Sequence, residues 1–88
     1  VIGLLTPGTA HLAIVNDVLA ERVRQLERWG VQDHDDGTWS LILGEEYGEA
    51  CQAALQHSSS DPTDLRAELV QVAAVAVAWI DCLDRRAS

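Results

Sequence analysis

The stretch LILGEEYGEACQAAL, residues 41–55, places Glu45, Glu46 and Glu49 inside a segment otherwise patterned as a core-facing helix. At about 100° per residue, Trp39, Ile42, Leu43, Ala50, Ala53 and Ala54 share one face. Glu46 falls near the middle of that apolar stripe and Glu49 at its edge beside Ile42, whereas Glu45 points to a flank. The pattern recurs downstream, where Glu68 lines up with Leu65, Val72, Val75 and Trp79, and Gln71 follows one turn later. Successive helices thus each carry an i, i+3 polar pair, EYGE and ELVQ. An ionised carboxylate buried without a partner is very costly, and neighbouring carboxylates push one another's pKa upward unless a cation compensates. Hard oxygen ligands suit Mg2+ or Mn2+ rather than zinc, and inward carboxylate pairs on facing helices are an established way to build such a centre. The competing use is ion pairing. The second helix has no basic residue at the right spacing, but an arginine of the first helix could meet Glu68. Spacing alone leaves both open. The calcium-like DHDDG fails as an EF-hand loop: with Gly37 at the sixth position, the twelfth is Leu43, where a Glu is required.

The elements that must position these groups are helices. The first is expected from about Thr9 to Trp29, with Leu12, Val15, Leu19, Val23 and Leu26 recurring at three- and four-residue steps as its packing stripe. Glu21, Arg22, Arg24, Glu27 and Arg28 form its solvated face. Thr9 is the expected cap after Pro7-Gly8, and Gly30 the left-handed stop. VQDHDDGT (31–38) reads as a turn-rich loop with a tight turn at Asp36-Gly37 and Thr38 as the next cap. The second helix is expected from about Trp39 to Gln56 or His57. HSSSD (57–61) is a short linker, with Asp61 capping a third helix that starts at Pro62 and ends near Arg85. Between Leu69 and Ile80 that third helix is apolar on nearly every side, so it must be covered all round. Two further helices in one small chain cannot easily do that. The expectation is an all-α, three-helix protomer, two long antiparallel helices plus an N-terminal one, that completes its bundle by homo-oligomerisation.

Composition narrows the partners. The 88 residues suffice for one domain, in which oligomerisation is a common way to complete a core. Fourteen acidic residues against six arginines and no lysine leave a formal charge of −8. Such a surface repels a nucleic-acid polymer or an anionic membrane, yet it accepts a polyanionic small molecule when divalent cations stand between them. The longest apolar run, LVQVAAVAVAWI (69–80), is well short of the roughly 20 residues a membrane span needs. VIGLL lacks the flank of a signal peptide, so a cytoplasmic location is expected. Cys51 and Cys82 fit no ligand or disulfide pattern and read as free thiols.

EEYGE followed by ELVQ resembles the MazG-type all-α nucleotide pyrophosphohydrolases, whose pattern is ExxE, a spacer, then ExxD. The upstream RWGVQDHDDGTWSLILGEE adds to the likeness, which covers about residues 22–84 and implies a single MazG-like domain over 1–88. The resemblance implies Mg2+-dependent hydrolysis of a nucleoside or deoxynucleoside triphosphate to the monophosphate and pyrophosphate, by a homodimer or tetramer. It implies Glu46, Glu49, Glu68 and Gln71 as metal ligands, with Mn2+ an alternative ion. Glu45 and Glu46 become the catalytic pair, Glu45 orienting the attacking water or holding a second metal. Trp29, Gln32 and His34 are the candidates to contact the substrate base. Gln71 departs from the family pattern: it stands where that pattern has Asp and supplies no negative charge. Two other readings remain: a nucleotide- or metal-binding module of the same fold with little turnover, and a structural helical homodimer whose glutamates form intersubunit ion pairs.

Overall fold

A computed structural model describes residues 6–56 and 62–88. They form three helices, α1 (Pro7–Trp29), α2 (Asp36–Gln56) and α3 (Pro62–Ala87), with no strand among the described residues. No helix among them is long and apolar enough to cross a membrane. The Asp61 cap and the HSSSD linker lie outside the described residues.

Two helix starts fall earlier than expected. Thr6, not Thr9, caps α1: its hydroxyl accepts the Thr9 N–H at 3.1 Å, and Pro7 takes the first turn, where its missing N–H costs nothing. Asp35, not Thr38, caps α2, accepting the Thr38 N–H at 2.7 Å. A carboxylate is the stronger acceptor at a helix N-terminus, and Asp36-Gly37 is drawn into the helix rather than into a separate turn. The backbone and hydroxyl groups of Thr38 accordingly hold the Asp35 carboxyl below its ordinary range.

Gly30 ends α1, its N–H donating to Leu26 O at 2.8 Å. Its φ of 70° and ψ of −167° lie in a region open essentially to glycine alone. A Cβ there would meet nothing within 4 Å, so the cost of Gly30→Ala is pure backbone strain, about 1–3 kcal/mol. Chemical denaturation should show that loss, with no change in secondary structure.

α3 is the central element. α2 runs antiparallel to it: Trp39, near the start of α2, packs on Val75, Ala78 and Cys82, late in α3. Further along α2, Glu49 meets Glu68 from the earlier part of α3. α1 runs parallel to α3, as the pairs Asp17–Arg66 and Gln25–Gln71 show. Both outer helices pack on α3 and not on each other. The 31–35 segment is clamped to the end of α3 by two arginines. Arg85 bonds Asp33 and the Gln32 carbonyl, and Arg86 bonds Asp36 and the His34 carbonyl at 3.0 Å each.

The core is small. Its buried apolar members are Trp39, Ala50, Ala74, Val75, Ala78 and Cys82. α1 is turned the opposite way from its apolar pattern. Leu12, Val15, Leu19, Val23 and Leu26, expected to pack, are 38–64% exposed, whereas Glu21 and Gln25, assigned to the solvated or unremarked face, are each 8% exposed against α3. Within one chain, α1 meets α3 through polar groups and leaves its apolar stripe uncovered. Leu69, Val77 and Ile80 of α3 are likewise 38–56% exposed.

Candidate metal centre

Helical periodicity brings the EYGE and ELVQ segments face to face. Carboxylate oxygens of Glu46, Glu49 and Glu68 all lie within 4.8 Å of one another, Glu46 and Glu68 half-buried and Glu49 exposed. Around an octahedral Mg2+ with ~2.1 Å bonds, neighbouring oxygens stand about 3.0 Å apart and only an opposite pair about 4.2 Å, so all three side chains would have to draw inward to hold a single ion. Glu45 is exposed on the flank, as its helical phase requires.

No arginine relieves the cluster. Burial first, then the charges of Glu49, Glu68, Glu45 and Glu21, raise the Glu46 carboxyl above its ordinary pKa. Glu68 is raised by burial, by the charge of Glu49, by a hydrogen bond shared with Glu49, and by Asp64. The chain's six basic side chains are all occupied elsewhere. Arg22 donates to Gln25, Arg24 pairs with Glu21, Arg28 lies 4.8 Å over the Trp29 ring, and Arg66 pairs with Asp17. Arg85 and Arg86 hold Asp33, Asp81 and Asp36. The expected alternative of an α1 arginine on Glu68 is therefore not formed within the chain. Three oxygen donors converging without a counter-charge fit a hard divalent cation.

Two cavities adjoin the carboxylates. An open groove of about 680 Å³ runs past Glu49 and Glu68 between α2 and the start of α3, with Gln52, Gln56 and Asp64 on its walls. A smaller and more enclosed cavity of about 190 Å³ lies where α1, α2 and α3 converge. It brings Trp29 and Gln32 to the same space as Glu46 and Gln71, with Trp39, Ile42 and Val75 as apolar wall.

His34 is not part of that cavity. Its ring stands edge-on to Trp39 at 4.9 Å between centroids, and it lines a separate depression with Asp33, Cys82, Arg85 and Arg86. His34 Nε2 and Trp39 Nε1 are buried without a hydrogen-bond partner among the described residues. Trp29 is 55% exposed, and Trp39 is a core residue at 2%.

Glu21 and Gln25 were not legible as site neighbours. Glu21 accepts from Arg24 Nε at 2.9 Å and from Gln25 Nε2 at 3.5 Å, and Gln25 Nε2 also donates to Gln71 Oε1 at 3.4 Å. The one signal was their i, i+4 spacing, which lines up one polar face on α1; the stronger apolar stripe on the opposite face obscured it. Comparison with protein-family models, with curated proteins and with solved structures finds no match to this chain.

Proposed function

We propose that the chain is a divalent-cation-dependent nucleotide pyrophosphohydrolase of MazG-like type, converting a nucleoside or deoxynucleoside triphosphate to the monophosphate and pyrophosphate. The observation that carries this is the convergence of Glu46, Glu49 and Glu68 within 4.8 Å with every arginine engaged elsewhere. An uncompensated trio of this kind destabilises the fold, and a bound ion is the economical explanation for keeping it.

Glu46, Glu49 and Glu68 are the residues that would hold Mg2+ or Mn2+, and such an ion would supply charge neutralisation at the phosphates and a more acidic water. Water attacks the α-phosphorus: its oxygen forms the new P–O bond, the bond to the β-phosphate bridge breaks, and pyrophosphate leaves. Glu45 or Glu46 accepts the proton that water gives up. Glu45 suits this role by lying beside the cluster with solvent access. Trp29 and Gln32 line the same cavity as Glu46, which supports an aromatic surface and an amide as contacts for a base attached to the phosphates. His34 supports that cavity from behind through Trp39 rather than touching the base.

Pyrophosphate release from a panel of canonical and modified NTPs and dNTPs, with Mg2+ or Mn2+ and with EDTA as blank, tests the activity. Release that EDTA abolishes and that favours some nucleotides is the expected result. No release from any nucleotide, combined with a nucleotide- and Mg2+-dependent rise in melting temperature, would instead establish the second reading, a binding module with little turnover. Gln71 favours that reading, because its amide oxygen already accepts a hydrogen bond from Gln25. The working form is proposed to be a homodimer or tetramer, supported by the uncovered apolar stripe of α1.

A further inference from the structure

Gln71 follows Glu68 by three residues on α3 and lines the same cavity as Glu46, and its amide has two ends of opposite character. The carbonyl oxygen can ligate a cation. The NH2 group can only donate. Which end faces the centre is decided by α1.

Arg22 Nη1 donates to Gln25 Oε1 at 2.9 Å. A guanidinium has no acceptor, so the oxygen of Gln25 must face it and the Gln25 NH2 must face the other way. Those two hydrogens go to Glu21 Oε2 and Gln71 Oε1. Glu21 accepts from Arg24 and, through its other oxygen, from Gln25 Nε2, which agrees with the same orientation from the far side. Gln71 Oε1 accordingly faces Gln25 of α1, which leaves its NH2 group free to donate elsewhere, and Gln71 is among the residues lining the cavity that also contains Glu46.

We propose that Gln71 serves the centre as a hydrogen-bond donor to an oxygen of the bound nucleotide polyphosphate and not as a cation ligand, its amide polarity set by Arg22, Gln25 and Glu21. The proposal rests on the metal-dependent reading given above. It follows that the cation is held by Glu46, Glu49 and Glu68 alone. Gln71 acts on the anion, and Gln25 is a positioning residue for it. Gln71 then makes an anion contact rather than a cation contact, with the buried polar face of α1 fixing its polarity.

The polarity is tested first without metal, by solvent exchange of the side-chain NH2 protons in 15N–1H spectra. Slow exchange at Gln25 with fast exchange at Gln71 is expected; the reverse would overturn the proposal. Mn2+ binding is then followed by electron paramagnetic resonance, and inorganic triphosphate is titrated into the Mn2+-loaded protein. Gln71→Met should leave the Mn2+ dissociation constant within about twofold while weakening triphosphate by about tenfold or more, the size of a lost hydrogen bond to a charged group. Gln25→Met should lie between Gln71→Met and the wild type for triphosphate; equality with the wild type would remove the role given to Gln25. A tenfold loss of Mn2+ affinity in Gln71→Met would show that the carbonyl ligates after all. Wild-type protein that binds no Mn2+ would overturn the metal centre itself, and Gln71's role with it, whatever the exchange rates show.

Discussion

Glu46→Gln is expected to remove most of the proposed Mg2+-dependent pyrophosphate release, by about a hundredfold or more, and at the same time to raise the melting temperature of the metal-free protein. The two effects have one cause. Glu46 is half-buried among Glu49, Glu68, Glu45 and Glu21, and its carboxyl is raised above the ordinary value of 4.5. The neutral amide keeps the shape and removes the repulsion, but it can neither neutralise a cation nor accept a proton. Stability lost to a functional charge is regained when the charge is removed. Glu68→Gln should behave the same way, since Glu68 is raised by burial and by Glu49.

The pH dependence follows with a definite sign. A raised carboxyl pKa means that the folded protein holds a proton the unfolded chain releases. Its contribution to stability is complete below the unfolded value and is lost as pH rises through the raised folded value. In EDTA the wild type should therefore melt at lower temperature as pH climbs from the ordinary glutamate value through the raised folded values of Glu46 and Glu68. Glu46→Gln should flatten that slope, and saturating Mg2+ should flatten it in the wild type. Asp33, Asp35 and Asp36 act oppositely. The Arg85 hydrogen bond, the Thr38 N–H and the Arg86 hydrogen bond respectively hold them below 3.8. What they contribute is present above the ordinary aspartate value and lost as pH falls through their lowered values, outside the window of the glutamates. Full activity in Glu46→Gln with an unchanged EDTA melting slope would remove Glu46 from the centre.

Leu19→Glu with Val23→Glu is expected to split the protein into protomers. In one isolated chain these side chains are 50% and 52% exposed, and a charge at such a position alters stability by at most about 0.5 kcal/mol. If a second copy covers the α1 stripe, the half of each side chain still exposed contributes about 1 kcal/mol on burial, or ~4 kcal/mol over two residues in each of two copies. Carboxylates at the same positions would have to be desolvated. Light scattering should give the wild type at least twice the 9.6 kDa chain mass and the double variant a single chain with a much lower melting temperature. A monomeric wild type at micromolar concentration, melting like the double variant, would leave the stripe without a partner copy.

What could be read from residue order was whatever depends on the helical period alone. The three helices, the inward phase of Glu46 and Glu68, the flank position of Glu45 and the stop at Gly30 all follow from about 100° per residue and from cap chemistry. These are local properties, so one sequence contains them. The cap at Asp35 instead of Thr38 was a near choice between two good acceptors, and the carboxylate prevailed.

Tertiary structure decided what covers each face. The apolar stripe of α1 is visible in its period, but a period states only that something must cover it, not whether that is α3 or another chain. The position of α1 on α3 puts Glu21 and Gln25 inside and the leucines outside. The same packing turns Gln71 toward Gln25, divides Trp29 and Gln32 from His34, and spends both C-terminal arginines on the 31–36 segment. Apart from the i, i+4 spacing of Glu21 and Gln25, none of this has a local signature. Hydrogen-bond polarity between residues 46 positions apart exists only once two helices are side by side, and the choice among several polar partners is made by geometry rather than by residue type.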